Sequence, residues 1–389
     1  MTKQSSFKRA ARERARATGQ RYTQARADLE LANRQEFAHS RPFDPAALRL
    51  HLEDRYGIAI SSMMPIDDDP ATRPRDSWPG HYPWTLVVEH TDGRTSRSTS
   101  PASTSTGATA HRRWIARVFS SSADRVSRVR GDAEILRFLA AHDFPAERVI
   151  HDDPVTVHDG KGIILTDFVP GGRPSADSPA VWHELADLLG RLHTLPAADG
   201  AVARPGGAEE HDGGFHVGRP TQDLAAAMSF LVSVEDSVTA GAREKFEWLR
   251  DQVESADAAE ALPEALTHSN YHPWAAVGDV GNLSIVGWAG SGRGPRLPAL
   301  AWLLRTAAEQ NAAENVPAVM RGYSQHVRLT DEELHRLPAI LNLRPLWLAC
   351  LDFRMTVKHG GTPALNEGWL QPASVEQAER LAAQVIAAL

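Results

Sequence analysis

Leu266-Thr-His-Ser-Asn-Tyr-His-Pro-Trp-Ala-Ala-Val277, followed by Ile285-Val-Gly-Trp-Ala-Gly-Ser-Gly-Arg-Gly-Pro-Arg-Leu297, is the stretch on which the fold turns. Two short apolar runs, at about 276–279 and 283–287, flank Val280-Gly-Asn282 and read as a strand, a tight turn and a returning strand. A polar loop carrying His268, Asn270 and His272 precedes them, with Pro273 inside it. His268 and His272 are four apart, a spacing that would suit a metal on a helix face, but a loop does not hold that register.

Moving outward, the chain changes character once. Asp44-Pro-Ala-Ala-Leu opens a helix with Asp as cap and Pro in the first turn, and Gly57 closes it. Residues 58–64, 84–90 and 114–119 read as strands, and 131–141 as a helix with Ile135, Leu136 and Leu139 on one face. Residues 154–158 and 162–169 form a hairpin-like pair around Asp159-Gly160. Pro170-Gly-Gly-Arg-Pro174 is a linker, and beyond it the pattern is helical: 182–195, about 223–234, and 239–254. The capping box Thr330-Asp-Glu-Glu333 opens a later helix, and an amphipathic helix ends at Leu389. Strands first and helices afterwards predict an α+β chain, with a β-rich lobe over 44–169 hinged to a helical lobe over 170–389. Residues 94–110 are Ser- and Thr-rich with almost no apolar side chains, which predicts a mobile insertion. Residues 65–83, rich in Asp and Pro, read as a second irregular stretch.

Composition narrows the function classes. The 389 residues are 42% hydrophobic and 23% charged, ordinary for a globular protein, and no apolar run is long enough to span a bilayer. The N-terminus is polar and basic, without the apolar core of a secretory signal, so the expected location is the cytoplasm. Cys350 is the sole cysteine and lies in an apolar run, which predicts a buried, inert thiol. The net charge of −7 is unevenly spread. Residues 1–35 hold nine Lys and Arg against Glu13, Asp28 and Glu30, a surplus of six positive charges, so the rest of the chain carries −13. Residues 1–40 therefore read as a basic helical arm that docks an anionic partner or the acidic body. Its apolar stripe is thin and no aromatic residues interleave its charges, which disfavours nucleic acid.

In order and spacing these segments resemble the aminoglycoside phosphotransferase/choline kinase family, a branch of the protein-kinase-like fold. Trp114-Ile-Ala-Arg-Val-Phe119 is similar to the third strand of the small lobe in that family, and Gly131-Asp-Ala-Glu-Ile-Leu-Arg-Phe-Leu139 to its helix. Ile163-Ile-Leu-Thr-Asp-Phe-Val-Pro-Gly171 resembles the interlobe hinge. Leu185-Ala-Asp-Leu-Leu-Gly-Arg-Leu-His193 is similar to the long helix that ends in Leu-His, and Gly292-Arg-Gly-Pro-Arg-Leu to the segment after the metal-binding Asp. The likeness covers roughly 44–360. It implies a bilobal fold, ATP bound at the hinge by backbone groups of Asp167, Phe168 and Val169, and phosphates held by Arg117 braced by Asp132, with Glu134 as the alternative brace.

The same resemblance exposes a gap. Phosphoryl transfer needs positioning, charge neutralisation and a carboxylate to receive the acceptor's proton. The loop that should read H-G-D-x-x-x-x-N reads His268-Ser-Asn270 and ends on Ala275, and the following Asp position is Gly287. An amide is no general base, whose loss typically costs about 10²–10⁴-fold, and neither Ala275 nor Gly287 ligates Mg²⁺, which prefers carboxylate and phosphate oxygens. His272 is the one nearby substitute base, and Trp274 reads as a hydrophobic plug in the phosphate site. The expectation is a pseudokinase-like member whose interlobe cleft binds a nucleotide, a metabolite or a protein. The rival is an active phosphotransferase using Arg117, Asp132, Asn270 and His272.

Overall fold

The computed structural model describes residues 43–66, 84–92, 112–121, 123–196, 200–205, 219–358, 360–363 and 371–389. The expected basic arm over 1–40, the insertion over 94–110 and all but the first two residues of the 65–83 stretch lie outside the described residues.

Helix α1 (Pro45–Tyr56) starts as its sequence requires. The Asp44 carboxylate accepts the Ala46 N–H, Pro45 occupies the first turn, and Gly57 closes the helix at φ 63°. Strands β1 (Ile58–Pro65), β2 (Trp84–Asp92), β3 (Arg112–Ser121), β4 (Val155–His158) and β5 (Lys161–Asp167) form one antiparallel sheet in the order β1-β2-β3-β5-β4. Side chains on a strand alternate faces. Ala116 and Val118 of β3, with Ile163 and Leu165 of β5, pack into the cluster that includes Leu48 and Leu52 of α1. The opposite face carries Arg117, which pairs in register with Ile164, together with Phe119 and Thr166. That face looks onto helix α2 (Ala123–Ala141).

Helix α2 is longer than the 131–141 the sequence predicts, because Gly131 lies inside it rather than at its start. The glycine has a packing reason. A Cβ there would sit 2.2 Å from Nη1 of Arg204, so its absence makes room for a guanidinium crossing the helix.

The second lobe is built on α3 (Pro179–Thr194) and α6 (Leu297–Tyr323), which cross closely. At Gly322 a Cβ would meet the His183 carbonyl oxygen at 2.2 Å, and at Gly190 one would meet the Tyr323 carbonyl oxygen at 3.0 Å. Their buried faces join α2 in one large core containing Trp182, Trp288, Tyr271 and Tyr323. A second core lies among α4 (Pro220–Val232), α5 (Ala240–Glu254) and α8 (Leu343–Lys358), around Phe246, Trp347 and Phe353. Helix α7 (Asp331–Ile340) opens with the expected Thr330–Glu333 capping box, and α9 (Val375–Ala387) with one between Ser374 and Gln377. Among the described residues no helix is long and apolar enough to cross a membrane.

The opening stretch forms two small antiparallel pairs. The predicted hairpin is β7 (Ala276–Val277) against β8 (Ser284–Ile285). Outside it, β6 (Glu264–Thr267) pairs with β9 (Gly292–Pro295), a pairing the apolar pattern did not reveal because β9 is Gly-Arg-Gly-Pro. The two pairs set loop 268–275 beside loop 286–291.

Candidate functional site

Three segments meet on one carboxylate that the sequence reading overlooked. Glu147, 2% exposed, lies in the loop after α2. Its Oε2 is 2.7 Å from Nη1 of Arg117 and accepts the Thr166 hydroxyl at 2.9 Å, while its Oε1 accepts the Gly287 N–H at 2.8 Å. Arg117 also donates to Thr166 Oγ1 at 3.3 Å. The expected brace between Arg117 and Asp132 is therefore corrected: Glu147 is the partner, and Glu134 pairs with Arg137 on the surface. Neighbouring backbone fixes the geometry. Ala146 forms a parallel bridge to Ile285, and the Ile285 N–H donates to the Pro145 carbonyl at 2.8 Å. Sequence offered one faint signal, a lone carboxylate in the otherwise apolar Phe144-Pro-Ala-Glu stretch.

Asp132 instead turns toward the helical lobe. Its Oδ1 accepts from Nη2 of Arg204 and, at 3.2 Å, from the Gly290 N–H. Arg204 also donates to the Arg128 carbonyl at 2.7 Å and to the Ser291 carbonyl through Nε at 3.1 Å. One guanidinium thus ties α2 to the loop leading into β9. Arg204 stands in a short loop before Pro205, where nothing in the sequence marks it.

At the hinge, the Asp167 N–H donates to the Arg148 carbonyl at 2.8 Å and the Phe168 N–H to the Arg113 carbonyl at 3.1 Å. Those two amides are committed to the fold, which narrows the expected three-residue hinge. Among the described residues no hydrogen bond uses the N–H or carbonyl of Val169. The Arg113 guanidinium stacks 3.9 Å from the centroid of Phe168.

Loop 268–275 is held largely by its own side chains. His268 Nε2 lies 3.2 Å from the Val286 carbonyl oxygen, its Nδ1 accepts the Asn270 N–H at 3.1 Å, and its ring meets Trp288 edge-on at 4.8 Å. The Tyr271 hydroxyl donates to the Leu185 carbonyl at 2.7 Å. His272 Nδ1 accepts the Trp274 N–H at 3.0 Å, so the proton of the neutral ring sits on Nε2. Burial, with Arg344 next in weight, pulls its pKa down to about 3. An imidazole whose lone pair is already engaged does not act as the substitute base at neutral pH. Asn270 is engaged as well, since its Oδ1 accepts from Nη2 of Arg344 at 3.3 Å. Arg344, on α8, is buried against Trp347 at 4.7 Å and Trp302 at 5.9 Å. Desolvation lowers its pKa to about 9, with Asp223 opposing. The sequence signal for it was a single cation inside the apolar run Leu341-Asn-Leu-Arg-Pro-Leu-Trp347. Trp274 does not plug the phosphate site: it stands on a short 3-10 turn, 53% exposed.

Mg²⁺ does not fit these positions. Asn270 is bonded to a guanidinium, Ala275 has no donor atom, and Gly287 contributes only an N–H that already faces a carboxylate. Both oxygens of Glu147 are taken. A cation would have to displace Arg344 or break the Glu147 cluster to gain an oxygen. Two surface concavities, about 260 Å³ between α6 and α9 and about 590 Å³ over α3 and the 280–283 turn, are lined by none of these groups.

A model described as "Phosphotransferase enzyme family" matches residues 102–338. No curated protein matches the sequence. Among solved structures, a spectinomycin phosphotransferase in complex with ADP and spectinomycin is 13% identical, with 90% of this chain and 99% of that one covered and a TM-score of 0.50. The macrolide 2'-phosphotransferase of Brachybacterium faecium is 14% identical over 86% and 96%, at 0.47. An amicoumacin kinase in complex with AMP-PNP and Ca²⁺ is 14% identical over 78% and 85%, at 0.48. At 13% identity the likeness to the spectinomycin phosphotransferase speaks to the fold alone.

Proposed function

The chain belongs to the phosphotransferase enzyme family, and from that premise we propose that it binds a ligand in the interlobe cleft without performing metal-dependent phosphoryl transfer. The observation that carries this reading is the bonding of Asn270 to Arg344. At the place where the resemblance puts a proton-accepting carboxylate, the protein presents a neutral amide facing a buried cation. Even a carboxylate introduced there would pair with that guanidinium, its pKa would fall, and it would take a proton poorly. The Gly287 N–H bonded to Glu147 supports the same conclusion at the metal position.

The nucleotide end is better preserved. Val169 keeps a free donor and acceptor at the hinge, and Phe168 is fixed by Arg113. A nucleotide is therefore the ligand class favoured for that end, bound without Mg²⁺. Calorimetric titration of ATP in EDTA and in Mg²⁺, followed by an assay for released ADP, tests the reading. The expected result is equal affinity in both buffers and no turnover. Absence of ATP binding, or turnover that appears on adding Mg²⁺, would overturn it.

A further inference from the structure

Between α6 and α9 lies the pocket of about 260 Å³, and each helix presents one stripe to it. From α6 come Arg305, Ala308 and Ala312, spaced i, i+3 and i+7. From α9 come Gln377, Arg380 and Gln384 at the same spacing, all exposed, with Ala378 and Leu381 buried beside them. The alanines at 308 and 312 leave the gap between the helices unfilled, and α6 breaks between them at Asn311. One end is fixed by a reciprocal pair: the Asn342 side chain donates to the Ala373 carbonyl at 2.9 Å and accepts the Ala373 N–H at 2.8 Å. The pocket is therefore preformed.

Its polar lining is made of donors, and no carboxylate is among the lining residues. Arg305 pairs with Glu309 at 3.0 Å and donates to the Gln371 carbonyl at 3.4 Å, yet its buried Nε–H has no acceptor among the described residues. Arg380 forms no ion pair or hydrogen bond among the described residues. Gln377 Oε1 accepts the Ser374 N–H at 2.9 Å, which leaves its amide N–H₂ as a donor. With Glu309 set against Arg305, two guanidiniums less one carboxylate leave a single positive charge.

We infer that this pocket is a second ligand site, taking a small monocarboxylate with an apolar body. The carboxylate meets Arg380 and Arg305, and the body lies on Ala308, Ala312, Leu341 and Leu381. A cavity with an apolar floor and a few convergent polar groups is the usual form of a small-molecule site. One net charge suits a carboxylate better than a dianionic phosphate, and a charge-assisted hydrogen bond fixes its orientation. Size sets the rest: since about 150 Å³ holds a benzene-sized ligand, about 260 Å³ holds roughly ten non-hydrogen atoms. Neither the hinge nor the Asn270 loop lines the pocket, so its ligand is independent of nucleotide binding.

Saturation-transfer NMR on the full chain, with octanoate as the probe, tests the site. Octanol supplies the same body without the charge, and acetate the charge without the body. Octanoate is expected to saturate, with octanol about tenfold weaker and acetate showing no saturation. Arg380→Gln, at an exposed helix position that preserves the fold, should weaken octanoate about tenfold, the lower range for a hydrogen bond to a charged group. It should leave octanol unchanged. Ala312→Leu fills the pocket and should abolish binding of both, with circular dichroism confirming that the helices are intact. No saturation by octanoate, octanol binding as tightly as octanoate, or Arg380→Gln titrating like the wild type would overturn the proposal.

Discussion

Arg117 and Arg344 are both buried arginines, and their surroundings differ sharply. Arg117 meets a full carboxylate, and that carboxylate is itself completed by a hydroxyl and a backbone N–H. Arg344 meets a neutral amide and two indole rings, and burial drags its pKa down to about 9. The first cluster is closed, with every charge answered inside the protein. The second is more open: the described hydrogen bond of the cation goes to a neutral amide, and Asp223 is the carboxylate that acts on it. The contrast is between a cation in direct contact with a carboxylate and one hydrogen-bonded to an amide.

The largest expected effect breaks the closed cluster. Glu147→Ala leaves Arg117 buried without its counter-ion, which should cost about 3–5 kcal/mol. Arg344→Met puts an apolar chain of similar length against Trp302 and Trp347 and should cost clearly less. Urea denaturation midpoints of the two variants check the order, and a larger loss for Arg344→Met would erase the distinction.

Next comes pH, to which the open region alone is coupled through a histidine. The folded-state pKa of His272 lies near 3, below the ordinary 6.5 of an unfolded histidine. Its contribution to stability is therefore complete above pH 6.5 and declines as pH falls toward 3, because only the unfolded chain takes up the proton in that window. The slope is about 1.4 kcal/mol per pH unit. His193, buried and likewise lowered to about 3, adds a similar slope far from the cleft. Denaturation midpoints measured between pH 7 and 4.5 should fall for the wild type, and His272→Phe should remove about half of this fall.

Asn270→Asp sharpens the comparison from the other side by putting a carboxylate where the amide meets Arg344. A charge-assisted hydrogen bond to Arg344 should raise stability by about 1.5–3 kcal/mol at neutral pH, and no ATP turnover should appear. Thermal denaturation and an ADP-release assay decide both points. The smallest effect is that of Thr166→Val, which removes one hydroxyl from the closed cluster while Arg117 and Glu147 stay in contact. A loss of about 1 kcal/mol in urea denaturation is expected.

Much of the fold was legible because its signals are local. The Asp44-Pro45 helix start, the Asp159-Gly160 turn, the Thr330 capping box and the β7–β8 hairpin each depend on a few adjacent residues, and each is present. The partnerships of the candidate residues were not legible. Arg117, Asn270 and Gly287 stand out in the sequence, yet their partners Glu147 and Arg344 come from a loop and a helix that only tertiary topology brings near. Asp132 shows the limit most plainly. Its spacing matched the expected brace, but Gly131 beside it opened a path for Arg204, and the closer cation took the carboxylate. A single omitted Cβ redirected an ion pair across the lobes, which no periodicity could announce.

Gly287 adopts φ +84°, and a Cβ built there meets nothing within 4 Å. Among residues with side chains, Asp and Asn are the ones that enter this backbone region most readily. Its bond to Glu147 runs through the backbone N–H and would outlast the change of side chain. In the genetic code a single base converts a glycine codon to one for an acidic residue, and a single base likewise converts asparagine to aspartate. At the buried Ala275, the step to asparagine needs at least two. Two of the three positions thus lie one mutation from an acidic residue, while the third lies further from asparagine.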